Sequence, residues 1–377
     1  MYVSGIGKTK FGILNASLPE LAYGAMAKAV EDSGIDAEKI EAIYIGNFLG
    51  GSFQNQLHLN SIVASLLPKN KIPIVRMESA CASGGAALHY ALEGMHKFEN
   101  VLVLGIEKMS DASTSNAAKY IGAAGDRILD QAEGLIFPAN YALIAGQHML
   151  KYGTTSNDLA LVALKNHENA NFNENAHFYG KKVNLEMIEN SPMVCSPLRL
   201  YDCSPITDGA AALVISRERK GARDIEIIAS AFTTDTISLA QRNDATTFDA
   251  AKRAAEIAYK EAGISAQDVD FAEVHDCFTI AEMVAMEDLG FCKKGGSREL
   301  IRSGATKLNA ELPINASGGL KASGHPIGAT GASQICEIAI QLRGEAEKRQ
   351  IKGANIGLAH NVGGIGGSCA VHILRGK

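Results

Sequence analysis

The segment MESACASGGAALHYA, residues 77–91, places one cysteine among small residues just before an apolar helical pattern. A thiol at the start of a helix faces unpaired backbone N–H groups and the positive end of the helix dipole. Both favour the thiolate, which is the nucleophilic form, so Cys81 is a candidate covalent nucleophile. The alternative is a buried structural cysteine, which is the commoner fate of any single cysteine. A reaction can be assigned to this thiol only if other reactive side chains are expected to lie near it.

The second reactive segment is EVHDCFTIAEM, residues 273–283, in which His275, Asp276 and Cys277 follow a predicted strand. Folds of the α/β class tend to build their sites at such strand ends. Cys277 lies beside a charged residue and could exchange a proton. A cysteine and a histidine this close could also bind zinc, but no matching ligand pair lies nearby in the sequence, so we predict no metal.

The third segment is NASGGLKASGHPIGATGASQ, residues 315–334, in which His325 precedes a proline. The residue before a proline is biased away from the helix, so His325 should lie on the turn that opens one, with Pro326 as its first residue. A histidine held on such a turn is a good hydrogen-bond donor or general base. An exposed loop histidine is the alternative.

The fourth segment is GLAHNVGGIGGSCAVHIL, residues 357–374, which predicts a strand, a glycine turn at 363–367 and a returning strand. A hairpin turn is the plain interpretation. A backbone N–H group that faces a reacting oxygen is the sharper one. No lysine follows in the spacing that phosphate-binding loops use, so phosphate binding is weakly supported.

The elements that position these segments alternate between helix and strand. Apolar residues at helical spacing over 21–33 end at Gly34, and a short strand follows at 42–45. A helix is predicted over 83–96 and an interior strand over 101–106. Such alternation predicts an α/β fold with covered sheets.

A weak internal repeat links the two ends of the chain. The stretch SGIDAEKIEAIYIGNF, residues 33–48, resembles AGISAQDVDFAEVHDC, residues 262–277, without a gap. The helix that opens at Cys81 has a counterpart that opens near His325. Two duplicated halves bring corresponding strand ends together near a pseudo-twofold axis, so we expect the reactive segments to converge.

The middle of the chain differs from both halves and contains mobile-looking stretches such as NHENANFNENAHFYGKK, residues 166–182. We predict an inserted loop domain over 116–202, of the kind that covers a site or recognises a substrate. The N-terminal half then comprises residues 1–115 plus 203–222, and the C-terminal half comprises residues 223–377.

The composition excludes several classes of protein. The chain has 377 residues and a formal net charge of −5, so no basic excess is available for nucleic acid or an anionic membrane. Seven cysteines without a CxxC pair argue against a disulfide framework and for a reducing compartment. No run approaches bilayer-spanning length and no secretion signal is evident. We therefore expect a cytoplasmic protein that binds neither nucleic acid nor a membrane.

Together, the four segments resemble the thiolases in chain order, and the resemblance covers nearly the full length. It is closest to the branch with an HDCF segment, which includes sterol-carrier-protein-2-type and archaeal acetoacetyl-CoA thiolases. GIEKMS at 105–110, DGAAALVIS at 208–216 and above all GHPIGATG at 324–331 carry the match. The resemblance implies the thiolase fold: two duplicated α/β halves in a layered α-β-α-β-α core, with an inserted loop domain.

The resemblance also implies roles for the reactive residues. Cys81 would accept an acyl group as a thioester, and His325 would activate it and contribute to an oxyanion hole. His275 stands where most thiolases have the asparagine of an NEAF segment, and it would hold a water or donate to the thioester oxygen. Backbone N–H groups at Cys81 and around Gly363 would form a second oxyanion hole.

The second acid/base departs from the commoner thiolase pattern. Many thiolases place it on a cysteine in the C-terminal glycine turn, where this chain has Asn361. In the HDCF branch the thiol comes from that segment, so the resemblance implies Cys277 as acid/base and a supporting role for Asn361. Cys369 lies beyond the turn and is predicted to be packing.

The implied activity is acetyl-CoA C-acetyltransferase, which joins two acetyl-CoA molecules to acetoacetyl-CoA or runs the reverse thiolysis, with coenzyme A thioesters as substrates and no cofactor. A decarboxylating ketoacyl synthase is one alternative, although Cys277 argues against it. A partner-dependent scaffold subunit is another. The resemblance implies a homodimer or homotetramer and a possible complex with hydroxymethylglutaryl-CoA synthase and a small bridging protein. Lys181 and Lys182 are candidate coenzyme A contacts, but a solvated surface fits them better.

Overall fold

The computed structural model describes residues 1–67 and 71–376, so Lys377, the end of the predicted C-terminal half, lies outside the described residues. Eleven strands are present in these ranges: Tyr2–Lys8 (β1), Ala42–Gly46 (β2), Ile74–Met77 (β3), Asn100–Glu107 (β4), Met193–Cys195 (β5), Leu198–Arg199 (β6), Gly209–Ser216 (β7), Ile225–Thr234 (β8), Phe271–Glu273 (β9), Ile356–Gly363 (β10) and Ser368–Arg375 (β11).

Thirteen α-helices accompany the strands in the described ranges: Leu18–Ser33 (α1), Gly50–Phe53 (α2), Leu59–Ser65 (α3), Ser83–Gly94 (α4), Thr114–Gly122 (α5), Phe137–Tyr152 (α6), Ser156–Ala170 (α7), Leu185–Glu189 (α8), Asp249–Ala262 (α9), Thr279–Asp288 (α10), Ser297–Ser303 (α11), Gly319–Ser323 (α12) and Thr330–Arg343 (α13). Across residues 1–67 and 71–376, no helix is both long and apolar enough to cross a bilayer.

Nine strands run in the order β3-β2-β4-β7-β1-β8-β11-β10-β9, and the sequence divides this series into two sets. In the first set, β2 pairs with β3 and β4 in parallel, while β7 pairs antiparallel with β4 and β1. In the second set, β9 and β10 are parallel, and β11 pairs antiparallel with β10 and β8. Only two residue pairs, Tyr2 with Glu226 and Val3 with Ile225, join the sets. The predicted duplication is confirmed, because β2, β4, β7 and β1 correspond in order to β9, β10, β11 and β8, while β3 has no counterpart among the described residues.

The repeat also holds residue by residue where the sequence predicted it. Helix α1 ends at Gly34 and helix α9 at Gly263, and both glycines adopt a left-handed conformation, with φ of 64° and 68°. Each is followed by a short 3-10 turn and then by the strand β2 or β9. Glycine tolerates this conformation without a Cβ penalty, which explains why both copies keep it.

The helices form layers around the two sets of strands. Helix α1 packs on β1, β4 and β7 from outside, and α9 packs on β8 and β11 from the opposite outside face. Helices α4 and α13 lie between the sets and contact strands of both. The predicted α-β-α-β-α core is thereby confirmed.

Glycines let the two central helices approach at their N-terminal ends. A Cβ added at Gly331 would lie 2.2 Å from the backbone nitrogen of Gly85, and one added at Gly84 would lie 2.8 Å from the carbonyl oxygen of Gly328. These contacts are too short for any side chain, so backbone packs directly on backbone. The segments that carry Cys81 and His325 are consequently held side by side.

The insertion between β4 and β7 carries α5 to α8 and the β5-β6 hairpin. Helix α7 packs on α10, α11 and α12 of the second half, and α6 packs on α10. The stretch 166–182 looks mobile in the sequence, but three of its five asparagines, Asn166, Asn169 and Asn173, are buried and bind the second half. Asn169 donates to the carbonyl of Asn315 at 3.0 Å, and Asn173 donates to that of Ser317 at 2.9 Å. The domain boundaries drawn from the sequence stay a prediction.

Candidate active site

Cys81 lies on a tight turn between β3 and α4. Ala80 adopts a left-handed φ of 48°, which is uncommon for a residue with a side chain. Glu78 and Ser83 hold this conformation: the Ala80 N–H donates to Oε1 of Glu78 at 2.7 Å, and the Ser83 hydroxyl donates to the Ala80 carbonyl at 2.6 Å. The turn therefore fixes the position of the thiol just ahead of the first turn of α4.

Two histidines from the second half converge on this thiol. The sulfur of Cys81 and a ring nitrogen from each of His275 and His325 all lie within 4.8 Å of one another. The two imidazole rings are 5.2 Å apart at their centroids and nearly perpendicular, at 83°. The structure thus brings together three of the four side chains that the sequence singled out. The same donors could ligate a zinc ion.

The fourth side chain, Cys277, shares a cavity of about 360 Å³ with Cys81 and His325. The walls of the cavity are mostly apolar and come largely from the inserted segment and the loop before β7: Met109, Ile121, Phe137, Leu200 and Ile206. A mostly apolar cavity with a few convergent polar groups is typical of a binding site for a small molecule.

His325 is held by two threonines. Its backbone N–H donates to Oγ1 of Thr207 at 2.8 Å, and its Nδ1 lies 2.7 Å from Oγ1 of Thr330. The Thr330 hydroxyl also donates to the carbonyl of Pro326 at 3.2 Å. Because the hydroxyl has one proton, the arrangement that satisfies all these contacts puts a proton on Nδ1 of His325. Nε2 then carries a free lone pair, as a general base requires.

The prediction that Pro326 is the first residue of the following helix is wrong. Helix α13 begins at Thr330, and Pro326 precedes a 3-10 turn over Ile327–Ala329. Gly328 in this turn donates its N–H to the Glu107 carboxylate at 3.0 Å. A Cβ at Gly328 would lie 2.6 Å from the carbonyl of Ile106. The chain therefore passes against the end of β4 before the helix can start.

His275 carries its proton on the other ring nitrogen. Its Nδ1 accepts from the side-chain amide of Asn361 at 3.4 Å. Oδ1 of Asn361 accepts from the backbone N–H of Gly85 at 3.1 Å, which fixes the orientation of the amide. Nε2 of His275 is therefore the protonated nitrogen, and it is buried without a hydrogen-bond partner in the described part of the chain. A buried unpaired donor beside Cys81 is suited to stabilise a developing oxyanion.

Burial decides the protonation state of the resting site. Burial raises the pKa of Cys81 to about 12, although the backbone N–H groups of Gly364 and of Cys81 itself oppose this rise. Burial also lowers the pKa of His325 to about 3 and the pKa of His275 well below its ordinary value. The N–H groups at the helix start favour the thiolate, as the sequence predicts, but desolvation outweighs them. The resting groups are a neutral thiol and neutral imidazoles.

The N–H group of the glycine turn that binds the Cys81 sulfur belongs to Gly364, one residue after the predicted Gly363. Gly363 ends β10, and a Cβ there would lie 2.4 Å from the carbonyl of Ser79. Gly364 begins the turn in a left-handed conformation, with φ of 62°, and this conformation presents its N–H to the thiol. The oxyanion donor predicted at Gly363 stays a prediction, and Gly364 is a second candidate because its N–H lowers the pKa of the Cys81 thiol.

Three further residues complete the site without a sequence signal of their own. Tyr141, on α6, is fully buried and donates to the carbonyl of Gly364 at 3.1 Å. Thr330 binds His325, as described above, and belongs to the segment that the sequence predicted to open the helix after His325. His360 is buried, and its Nδ1 lies 3.4 Å from the backbone nitrogen of His275.

The remaining sequence candidates lie apart from the reacting groups. Cys369 is fully buried within the hydrophobic core of the second half. Lys181 and Lys182 are exposed, and the ammonium group of Lys181 lies 4.9 Å from the ring centroid of Phe178.

Comparison with known proteins identifies the family to which the chain belongs. A family model described as the thiolase N-terminal domain matches residues 2–219, and one described as thiolase C-terminal domain-like matches residues 231–376. The chain belongs to the thiolase family, and it is an acyltransferase enzyme. The family, the fold class and the enzyme class predicted from the sequence are confirmed.

Three individual proteins show how similar the chain is to known members of the family and to solved structures. An acetyl-CoA acetyltransferase of Methanothermobacter thermautotrophicus is 44% identical over 382 residues, which span 99% of this chain and 98% of that protein. Sterol carrier protein 2 of Bos taurus is 32% identical, over 100% of this chain and 72% of that protein. A solved structure titled Ltp2-ChsH2(DUF35) aldolase has a TM-score of 0.86 at 24% identity and covers 100% of this chain and 97% of that chain. This last similarity shows the shared fold.

Proposed function

We propose that the protein condenses two acetyl-CoA molecules to acetoacetyl-CoA, or catalyses the reverse thiolysis, through an acetyl thioester on Cys81. One observation carries the proposal. The Cys81 sulfur and the ring nitrogens of His275 and His325 lie within 4.8 Å of one another, on a cavity shared with Cys277. The relative from Methanothermobacter, named acetyl-CoA acetyltransferase, supports the choice of substrate.

The first half of the proposed reaction transfers an acetyl group. The Cys81 sulfur attacks the thioester carbonyl while Nε2 of His325 accepts the thiol proton. The backbone N–H groups of Cys81 and Gly364 stabilise the oxyanion. The bond from carbon to the coenzyme A sulfur breaks, and the departing sulfur takes the proton of Cys277. This step leaves an acetyl group on Cys81, a protonated His325 and a Cys277 thiolate.

The second half forms the carbon–carbon bond. The Cys277 thiolate removes a proton from the methyl carbon of a second acetyl-CoA, and the Nε2–H of His275 donates to the enolate oxygen. The carbanion attacks the acetyl carbonyl and expels the Cys81 sulfur, which takes the proton from His325. All three groups return to their neutral forms. The neutral resting state, in which burial raises the pKa values of both thiols, supports Cys277 acting first as an acid.

The test follows the acetyl group by mass spectrometry after incubation with acetyl-CoA. We expect an acetyl adduct on the Cys81 peptide of the wild type, and neither adduct nor turnover for Cys81→Ala. With Cys277→Ala, acetoacetyl-CoA formation should be lost. Retained turnover in Cys81→Ala would falsify the mechanism. A requirement for malonyl-CoA in place of acetyl-CoA would instead favour a decarboxylating condensing enzyme.

We further propose a cytoplasmic homo-oligomer with the domain boundaries predicted above. Strand β3 lies at one edge of the sheet and exposes Val75, which supports pairing with a second copy along that edge. All seven cysteines are free thiols, as a reducing compartment requires. A complex with hydroxymethylglutaryl-CoA synthase and a bridging protein stays a prediction, which copurification with those partners tests.

A further inference from the structure

Tyr141 brings the inserted segment into the reaction centre. It lies on α6 and is fully buried. Its ring stacks on that of Phe278, with centroids 4.5 Å apart and planes 24° from parallel, and a second ring, that of Phe248, meets it edge-on at 6.3 Å. Because Phe278 directly follows Cys277, the stack holds the tyrosine ring against the segment that carries that thiol, and each group shifts the pKa of the other.

The hydroxyl of Tyr141 lies near groups that act in both steps of the proposed reaction. It donates to the carbonyl of Gly364 at 3.1 Å, and it lies near enough to Cys277 to lower the pKa of that thiol as a hydrogen-bond donor. Gly364 is the residue whose N–H binds the Cys81 sulfur. One phenol therefore connects the acid/base thiol with the turn that carries the oxyanion donor.

A single hydroxyl proton can serve only one acceptor at a time. While Cys277 is a thiol, its S–H can donate to the phenol oxygen, and the phenol proton binds the Gly364 carbonyl. Once Cys277 has lost its proton, the sulfur becomes the stronger acceptor, because hydrogen bonds to charged groups are roughly twice as strong. A small rotation of the hydroxyl then moves its proton from the carbonyl to the thiolate.

We propose that Tyr141 is a positioning residue for the steps in which Cys277 acts as acid and base, and that its hydroxyl stabilises the thiolate by this change of partner. The proposal rests on the proposed function. It assigns the inserted segment a part in proton transfer in addition to its part in lining the cavity.

Charge and burial support this assignment. Burial raises the pKa of Cys277 well above its ordinary value, and the nearby Cys81 raises it further. The hydrogen bond from Tyr141 acts in the opposite direction. Burial and Cys277 together raise the pKa of Tyr141 itself, so the phenol stays neutral and remains a donor.

The test compares Tyr141→Phe with a matched control, Tyr259→Phe. Tyr259 is partly buried and donates to the carbonyl of Leu289 at 2.8 Å, away from the reacting groups. Each change removes one oxygen and keeps the ring. We expect Tyr141→Phe to lower kcat for condensation about 10- to 100-fold, as the loss of a hydrogen bond to a charged group predicts. Tyr259→Phe should stay within about twofold of the wild type, since its hydrogen bond is remote from the reaction.

Two readouts separate this role from a purely structural one. Acetylation of Cys81 by p-nitrophenyl acetate needs no acid for the leaving group, so Tyr141→Phe should lose far less of this acetylation than of condensation. The alkaline limb of the condensation pH profile should move to higher pH in Tyr141→Phe, because the Cys277 thiolate loses a donor. Tyr141→3-fluorotyrosine keeps the hydroxyl and should restore condensation, and it also serves if the phenylalanine variant does not fold.

Equal condensation rates in Tyr141→Phe and Tyr259→Phe overturn the proposal. Loss of p-nitrophenyl acetate reactivity in Tyr141→Phe also overturns it, because that result shows a disordered site. Condensation that survives in Cys277→Ala is a different failure: it removes Cys277 from the proposed function, whatever Tyr141 does.

Discussion

The side-chain amide of Asn361 donates to the carbonyl oxygen of Cys81 at 2.9 Å, so one asparagine on β10 holds the loop that carries the thiol. The same amide group faces Nδ1 of His275 at 3.4 Å, and its oxygen accepts from the N–H of Gly85. The asparagine fixes the nucleophile loop, the start of α4 and the protonated nitrogen of His275.

Asn361→Asp tests that arrangement with almost no change in shape. The carboxylate loses both donated hydrogen bonds and adds a negative charge beside the Cys81 thiol. We expect acetylation of Cys81 to slow by about 10²- to 10³-fold, a loss comparable to removal of an oxyanion donor. The measurement is the single-turnover rate of acetyl adduct formation. Asn100→Asp is the control, because Asn100 is also buried but binds the carbonyl of Lys39, far from the thiol. Equal rates in both variants would show that Asn361 only packs.

Thr330→Val tests the anchor of His325. Valine keeps the branched shape but leaves Nδ1 of His325 without its partner at 2.7 Å. A misaligned base should lower kcat by about 10- to 100-fold, since general-base catalysis depends on geometry. Thr330→Ser keeps the hydroxyl and should retain most of the activity. The comparison uses kcat at saturating acetyl-CoA, and wild-type kcat in Thr330→Val would remove the threonine from the mechanism.

The sequence located the four reactive side chains because each lies at the start of a helix or the end of a strand. The internal repeat pairs each such element with a corresponding element in the other half. Duplication alone places Cys81 and His325 side by side, and the gapless match of residues 33–48 with 262–277 anchors the strand that precedes His275. Tyr141 could not be found in this way. It reaches the site through the fold of an insertion that has no counterpart in the second half.

Protonation states were also beyond the sequence. A helix start favours a thiolate, but this rule alone does not decide the resting form of Cys81. Burial is the larger effect, and burial depends on every layer of the core. The same limit applies to the glycine turn, because only the turn conformation decides whether the N–H of Gly363 or that of Gly364 faces the Cys81 sulfur.

The pH dependence of alkylation tests the resting form of Cys81. With its pKa raised to about 12 by burial, the thiolate fraction grows tenfold for each pH unit across the neutral and mildly alkaline range. Alkylation of the Cys81 peptide by iodoacetamide should therefore keep rising from pH 7 to about 9.5, while a short unstructured peptide with one cysteine levels off above the ordinary thiol pKa of about 8.5. A plateau near neutral pH would show instead that His325 already holds the thiolate. The rates are read by peptide mass spectrometry in the substrate-free enzyme.

A substitution of Asp208 tests how much its hydrogen bonds, which connect the start of β7 to the end of β4, stabilise the fold. Its two carboxylate oxygens accept from Leu14 N–H, Met109 N–H, the Ser110 N–H and hydroxyl, and the Lys108 ammonium at 3.0 Å. The Asp208 side chain is fully buried. Asp208→Asn removes the charge and turns one acceptor into a donor. We expect the free energy of unfolding to fall by about 3–5 kcal/mol at pH 7, as for a broken buried ion pair.

The pH dependence of this loss follows from the sign of the shift. Hydrogen bonds from Ser110 and Leu14 hold the pKa of Asp208 below its ordinary value despite burial, so its contribution to stability is fully present above the unfolded pKa of about 3.9. The difference in the free energy of unfolding between Asp208→Asn and the wild type should therefore stay constant from pH 8 to about 5 in urea unfolding and shrink only at lower pH.

Asp111→Asn is the matched control, because Asp111 also pairs with Lys108, at 2.9 Å, but half of its side chain is exposed. That change should lower the stability by less than about 1 kcal/mol. Equal losses in the two variants would mean that the buried carboxylate stabilises the fold no more than a surface ion pair does.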